Sequence, residues 1–120
     1  MLRALGKRYR LGVVTNGIDR VQRSRLAASG LAPLFEVVVT SQGCGFAKPD
    51  PRILHVALDA LHVSPRHAVY VGDDAAVDSA AARAAGVSFV WIDRGEPVMG
   101  LRPRRRVRRL VELPDLLQFD

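Results

Sequence analysis

The chain has 120 residues, 48% of them apolar, which is enough for one hydrophobic core and too little for two. Its formal net charge is +6, and one run, Arg102-Pro103-Arg104-Arg105-Arg106-Val107-Arg108-Arg109, holds six arginines, so the remainder is neutral. The single cysteine, Cys44, excludes an internal disulfide and fits a reducing compartment, and no apolar run approaches the roughly 18–20 residues of a membrane span.

Met1 to Arg10 lacks the apolar centre of a signal peptide and reads instead as the last turns of a helix. A strand is expected at 11–15, then a helix at 19–29 closed by Gly30, and a strand at 36–40. Asp50-Pro51 reads as N-cap plus first helical residue of a helix at 51–62. A strand at 68–72, a helix at 76–85 closed by Gly86 and a strand at 87–92 follow. A weaker strand over 106–109 and a short helix over 113–118 complete the chain, with no repeat and no linker. Strand–helix alternation of this kind predicts an α/β domain with a parallel sheet covered by helices on both faces. The whole of 1–120 is expected to be a single cytoplasmic domain, or most of one.

Three stretches carry chemistry. Leu11-Gly12-Val13-Val14-Thr15-Asn16-Gly17 is an apolar run ending in a hydroxyl, an amide and a glycine just before a helix. Such a turn suits an anion, because glycine permits close backbone approach and a helix N-terminus offers N–H groups; Asn-Gly is equally a common turn pair. In Phe46-Ala47-Lys48-Pro49-Asp50-Pro51 stands one of only two lysines among eighteen basic residues, the other being Lys7. A lysine kept in so Arg-rich a chain points to a need for a compact charge rather than a planar fork, against the plainer reading of a solvated loop lysine. Val69-Tyr70-Val71-Gly72-Asp73-Asp74-Ala75-Ala76-Val77-Asp78 delivers three carboxylates to the end of an apolar strand. Ligands collect at that end of parallel strands, and crowded carboxylates suit a hard cation such as Mg²⁺. The competing reading makes Asp73 or Asp74 a helix cap and Asp78 a first-turn acid.

Together these stretches resemble the haloacid dehalogenase-like (HAD) hydrolase superfamily, in its small-molecule phosphatase branch. Thr15 with Asn16 is similar to that family's second motif, Lys48 in Ala47-Lys48-Pro49 to its third, and Gly72-Asp73 with Asp78 to its fourth. The small-residue helix Ala80-Ala81-Ala82-Arg83-Ala84-Ala85 and the following Gly86-Val87 match as well, and the likeness runs from about Leu2 to Pro114. The resemblance implies a three-layer α/β/α Rossmann-like core. It also implies phosphoryl transfer from a small phosphorylated metabolite through an aspartyl-phosphate. Thr15 and Lys48 would be catalytic, Thr15, Asn16, Gly17 and Lys48 would contact phosphate, and Asp73 and Asp78 would hold Mg²⁺, with Asp74 a further candidate ligand. Dehalogenase members lack the first acid that Asp73 supplies, so the resemblance favours a phosphatase.

One motif is missing. The family's Asp-x-Asp-x-Thr, carrying the nucleophile and the general acid/base, occurs nowhere before Thr15. In the family its strand lies between those that here are 11–15 and 68–72. The chain is therefore expected to start mid-domain, without the N-terminal strand and without a cap domain, and to be marginal in solution and inactive alone. An upstream segment or a partner chain would supply the strand, since unpaired strand edges are costly. The alternative is a non-catalytic remnant that binds Mg²⁺, phosphate or a partner.

Other features read plainly. The arginine run could meet a polyanion, but no aromatic residues interleave it, so nucleic acid is not expected as a partner. His55, His62 and His67 are spaced unsuitably for one metal site, and Cys44 is expected to be a loop residue.

Overall fold

In the computed structural model, residues 2–93 and 106–107 are described. The elements in order are α1 (Leu2–Gly6), β1 (Gly12–Thr15), α2 (Asp19–Ala28), β2 (Val37–Thr40), α3 (Ser41–Cys44), α4 (Arg52–Leu61), β3 (Val69–Gly72), α5 (Val77–Ala85), β4 (Ser88–Ile92) and β5 (Arg106–Val107). Short 3₁₀ turns cover Ala32–Leu34 and Pro65–His67. The strands and helices expected up to residue 92 are present, their ends shifted by one or two residues.

Every strand pairing among the described residues is parallel. β1 pairs with β2, placing Val13 opposite Val38 and Val14 opposite Val39. β3 pairs with β4, and β4 with β5. Among the described residues β1 and β3 are not paired, so the strands form two sheets, β1-β2 and β3-β4-β5. β5 covers the first half of the strand expected at 106–109; the expected helix at 113–118 and the rest of the arginine run lie outside the described residues.

What holds the two sheets in one body is the pair of helices lying on them. α4 places Ile53, Leu54, Ala57, Leu58 and Leu61 on one buried stripe, the spacing of an amphipathic helix. α5 buries Ala81, Ala82 and Ala85, whose small side chains allow close approach to strand and helix alike. α4 packs on β1 and β2, α5 on β3 and β4, and the two helices on each other. Their shared core takes in Val14, Val37 and Val39 from one sheet and Tyr70 and Phe89 from the other. Strand alternation turns Val13, Thr15 and Val38 to the opposite face, where they line a space of about 260 Å³ with Gln22, Arg25, Leu26 and Ser29 at α2. Helices on both faces make the three layers of an α/β/α core. α2 itself buries no residue, and Ile18 and Val21 remain 55% and 40% exposed.

Differences from expectation have local causes. α4 starts at Arg52, and the Asp50 carboxylate caps it by accepting from Arg52 N at 2.9 Å. It ends with His62 in the left-handed region, φ 56°, while Val63 N donates to Leu58 O; no glycine marks this stop. Histidine is among the residues that tolerate this conformation better than most. α3 was not expected at all. Thr40 Oγ1 caps it by accepting from Gly43 N at 3.0 Å, and Gly45, φ 85°, ends it. Cys44 is consequently the last residue of a short helix rather than a loop residue, half-buried against the core.

Candidate functional site

Of the candidate residues, Lys48 and Asp78 meet on the α4–α5 side of the sheets, at the end of β3, and Asn16 reaches the Lys48 main chain, whereas Thr15 faces the α2 side and Asp73 is exposed. Lys48 reaches in from the loop before α4 and is only 13% exposed. Its Nζ donates to Asp78 Oδ1 at 2.7 Å and to the Tyr70 phenol at 2.9 Å. Asp78, on the first turn of α5, is 2% exposed. Its other oxygen, Oδ2, accepts from Asp74 N at 3.1 Å. Gly72 is what lets Asp78 come so close to the end of β3: a Cβ there would meet Asp78 Cγ at 2.6 Å and Asp78 Cβ at 2.8 Å.

Tyr70 ties the two sheets. Its hydroxyl accepts from Lys48 and donates to Val14 O of β1 at 3.2 Å, across the space between β1 and β3. Burial draws the Lys48 amine toward neutrality, but the hydrogen bonds to Asp78 and Tyr70 more than offset it, and its pKa lies above the ordinary lysine value. Burial raises the Tyr70 phenol above its usual range, against the pull of Lys48. The site therefore holds a protonated lysine and a neutral phenol at neutral pH.

The loop after β1 is held from both sides. The Asn16 carboxamide meets the Lys48 main chain twice: Lys48 N donates to Oδ1 at 2.8 Å, and Nδ2 donates to Lys48 O at 3.1 Å. Gly17 N donates to Ser41 Oγ at 2.8 Å, and Asp19 N to Gln42 Oε1 at 2.8 Å. The Gly17 N–H and the first N–H of α2 are thus already engaged. Thr40 Oγ1 donates to Asp19 Oδ1 at 2.8 Å, and this bond, together with Arg23, holds the Asp19 carboxyl below its usual range. Thr15 Oγ1 has a 3.3 Å bond to the carbonyl of Asn16.

Of the three acids at β3, each does something different. Asp78 carries Lys48. Asp74 caps α5, its Oδ1 accepting from Ala76 N at 3.0 Å and Val77 N at 2.8 Å. Asp73 presents an exposed carboxylate while its carbonyl accepts from Trp91 Nε1 at 3.2 Å. Among the described residues no group of three His, Cys, Asp or Glu side chains could hold a metal. The donors present nonetheless fit Mg²⁺, which takes one or two carboxylates and fills its shell with water and phosphate oxygens. His67 Nδ1 sits 2.8 Å from Ser64 Oγ, and His62 ends α4, so these two histidines have local roles.

Sequence reasoning missed Tyr70, Thr40, Ser41 and Gln42. A signal existed for the last three, since Thr40-Ser41-Gln42 ends an apolar strand in polar groups as Thr15-Asn16 does. Tyr70 showed only as a polar-tipped ring in an otherwise valine strand.

The comparisons with known proteins bear on family and fold. A family model described as haloacid dehalogenase-like hydrolase matches residues 1–92. A phosphoserine phosphatase of Thermus thermophilus is 46% identical over 85 residues, covering 71% of this chain and 34% of that protein. The magnesium-bound structure of Bacillus subtilis YfnB superposes with a TM-score of 0.88 at 28% identity, over 97% of this chain and 52% of that one. A 2-haloacid dehalogenase of Pseudomonas syringae superposes with a TM-score of 0.85 at 33% identity, over 98% and 50%. The chain thus spans between a third and a half of the length of these proteins. The fold is common to phosphatases and dehalogenases, and the choice between them rests on the site.

Proposed function

The chain belongs to the haloacid dehalogenase-like hydrolase family, and from that premise we propose that residues 1–120 form the greater part of one core domain of a Mg²⁺-dependent phosphatase for a small phosphorylated metabolite. The observation that carries the reading is the Lys48 ammonium, fixed between Asp78 and Tyr70 beside the space that separates β1 from β3. Phosphoryl transfer needs its charge neutralised and its oxygens positioned, and a rigid lysine with a hydroxyl nearby does both. Asp73, rather than Asp74, is the acid whose carboxylate is left to face a cation, with Asp78 as its companion through a remaining lone pair. Mg²⁺ held there would draw charge from the phosphate oxygens. Thr15 turns its hydroxyl from the Asn16 carbonyl to a phosphoryl oxygen, and Lys48 neutralises charge on nucleophile and phosphate. The nucleophile is a carboxylate on a strand entering between β1 and β3. It attacks phosphorus as the P–O ester bond breaks and the second acid of the same strand's Asp-x-Asp-x-Thr motif gives its proton to the leaving oxygen; water, losing a proton to that acid, then releases phosphate from the acyl phosphate. The acid at Asp73 supports phosphatase over dehalogenase chemistry.

The entering strand comes from an upstream segment or a partner chain, which is why turnover by these 120 residues alone is not expected. A second reading, a non-catalytic remnant that binds Mg²⁺, phosphate or a partner chain, draws on the same edges of β1 and β3, unpaired among the described residues. A cytoplasmic location accords with the lone cysteine; no helix among the described residues is long and apolar enough to cross a membrane. Calorimetric titration of the chain with Mg²⁺ and inorganic phosphate tests the site. Loss of Mg²⁺ binding in Asp73→Asn, and of phosphate binding in Thr15→Ala and Lys48→Met, is the expected result. Binding unchanged in all three would overturn the assignment.

A further inference from the structure

We propose that Asn16 is a positioning residue whose carboxamide fixes the main chain of Lys48, and through it the ammonium, rather than a group that touches phosphate. Its significance rests on the reading of Lys48 given above; its geometry does not. A planar carboxamide offers one donor and one acceptor, and here both are spent on a single residue: Lys48 N donates to Oδ1 and Nδ2 donates to Lys48 O. That is the pairing a neighbouring strand would make, supplied by one side chain at the end of β1. Lys48 lies in a loop, outside helix and strand. From that loop a flexible four-carbon stem must reach Tyr70 on β3 and Asp78 on α5. Pinning the Cα to β1 removes most of the freedom that would otherwise scatter the ammonium. No other side chain substitutes: Asp lacks the donor, Ala both groups, and Gln carries its amide one methylene farther out. The amide orientation is the one that satisfies both partners, since the reverse would set donor against donor.

Ser41 offers an internal comparison. It holds the same loop through Gly17 N but makes no bond to Lys48. A general loosening of the loop would follow the loss of either residue; a specific displacement of Lys48 would follow only the loss of Asn16.

Lys48 and the exposed Lys7 are the only lysines, so trace acetylation read by mass spectrometry gives the reactivity of one relative to the other in the same molecule. In the wild-type chain Lys48 is expected to react more slowly than Lys7. Each hydrogen bond lost corresponds to roughly a factor of two to ten in an equilibrium, so the Lys48-to-Lys7 ratio is expected to rise about fivefold or more in Asn16→Ala. Asn16→Asp, which keeps the acceptor and loses the donor, should fall between, and Ser41→Ala should leave the ratio unchanged. An unchanged ratio in Asn16→Ala, or an equal rise in Ser41→Ala, would overturn the proposal. Should Asn16→Ala not fold, amide exchange in the unaltered chain decides: the Lys48 N–H is expected to be protected, and exchange at the rate of an unstructured lysine would refute it. Labelling needs no substrate, so a failure of the phosphatase reading would appear as Mg²⁺ and phosphate binding unchanged by Asp73→Asn, Thr15→Ala and Lys48→Met, with the labelling pattern intact.

Discussion

Removing the Asp78 carboxylate should do more damage than any other single change at the site, because it strips a mostly buried ammonium of its counter-charge. Asp78 is 3% and Lys48 13% exposed in their side chains, and they meet at 2.7 Å. Breaking a buried pair by deleting one partner costs about 3–5 kcal/mol, and the residual exposure of Lys48, which lets water reach the ammonium, puts this case at the lower end. Asp78→Ala also leaves Asp74 N without its acceptor, a further cost of about 1 kcal/mol. A total near 4 kcal/mol is a large share of the roughly 5–15 kcal/mol that holds a domain together. Urea unfolding followed by the fluorescence of Trp91, the only tryptophan and 2% exposed, reads the change directly. With a slope of about 1–3 kcal/mol per molar urea, the midpoint should drop by more than about 1 M. Replacing both charges, in Asp78→Ala with Lys48→Met, should restore much of the loss, since an apolar pair in place of a buried ion pair is often neutral or better. A loss under about 1 kcal/mol, or a double variant no more stable than Asp78→Ala, would refute the view that this pair is buried and mutually dependent.

Other consequences are equally open to measurement. Both Lys48 and Tyr70 hold their protons more tightly folded than unfolded, so their contribution is fully present below the ordinary values of 10.5 and 10.0 and is lost as pH rises through the folded ones. Urea midpoints should therefore lose this contribution only above about pH 10, and lose less in Lys48→Met; parallel profiles would contradict this. Gly72→Ala puts a methyl group against Asp78 and should destabilise by about 1–3 kcal/mol while increasing Lys48 acetylation. Gly17→Ala, at φ 151° and with Gln22 Nε2 2.5 Å from the new Cβ, should loosen the loop after β1. Its readout is faster amide exchange at Asp19, whose N–H donates to Gln42 across that loop; an unchanged rate would count against the strain.

How much of this could be read from residues follows from what fixes each feature. The strand–helix alternation was legible because α4 and α5 advertise their buried faces by spacing and because Gly86 marks a stop that only a positive φ explains. His62 ends α4 in the same conformation without any such mark, and α3 depends on a hydroxyl cap and two glycines in a stretch with no periodicity. Lys48, Asp73 and Asp78 were legible as residue types at strand ends. Their division of labour was not: which acid takes the lysine, which caps α5 and which faces outward is decided by the close approach at Gly72 and by the orientation of α5. Tyr70 and Asn16 were harder still, since bonds from Tyr70 to Val14 and from Asn16 to Lys48 span 56 and 32 residues and exist only once the chain is folded, the first of them only once the two sheets are assembled.

The most direct test of the central claim is hydrolysis of an aryl phosphate ester in the presence of Mg²⁺, measured for the 120-residue chain alone and after adding a segment with an apolar strand ending in Asp-x-Asp-x-Thr. The account predicts no turnover by the chain alone, turnover with the segment, and its loss in Asp73→Asn and Lys48→Met. Turnover by the chain alone that survives both substitutions would contradict it.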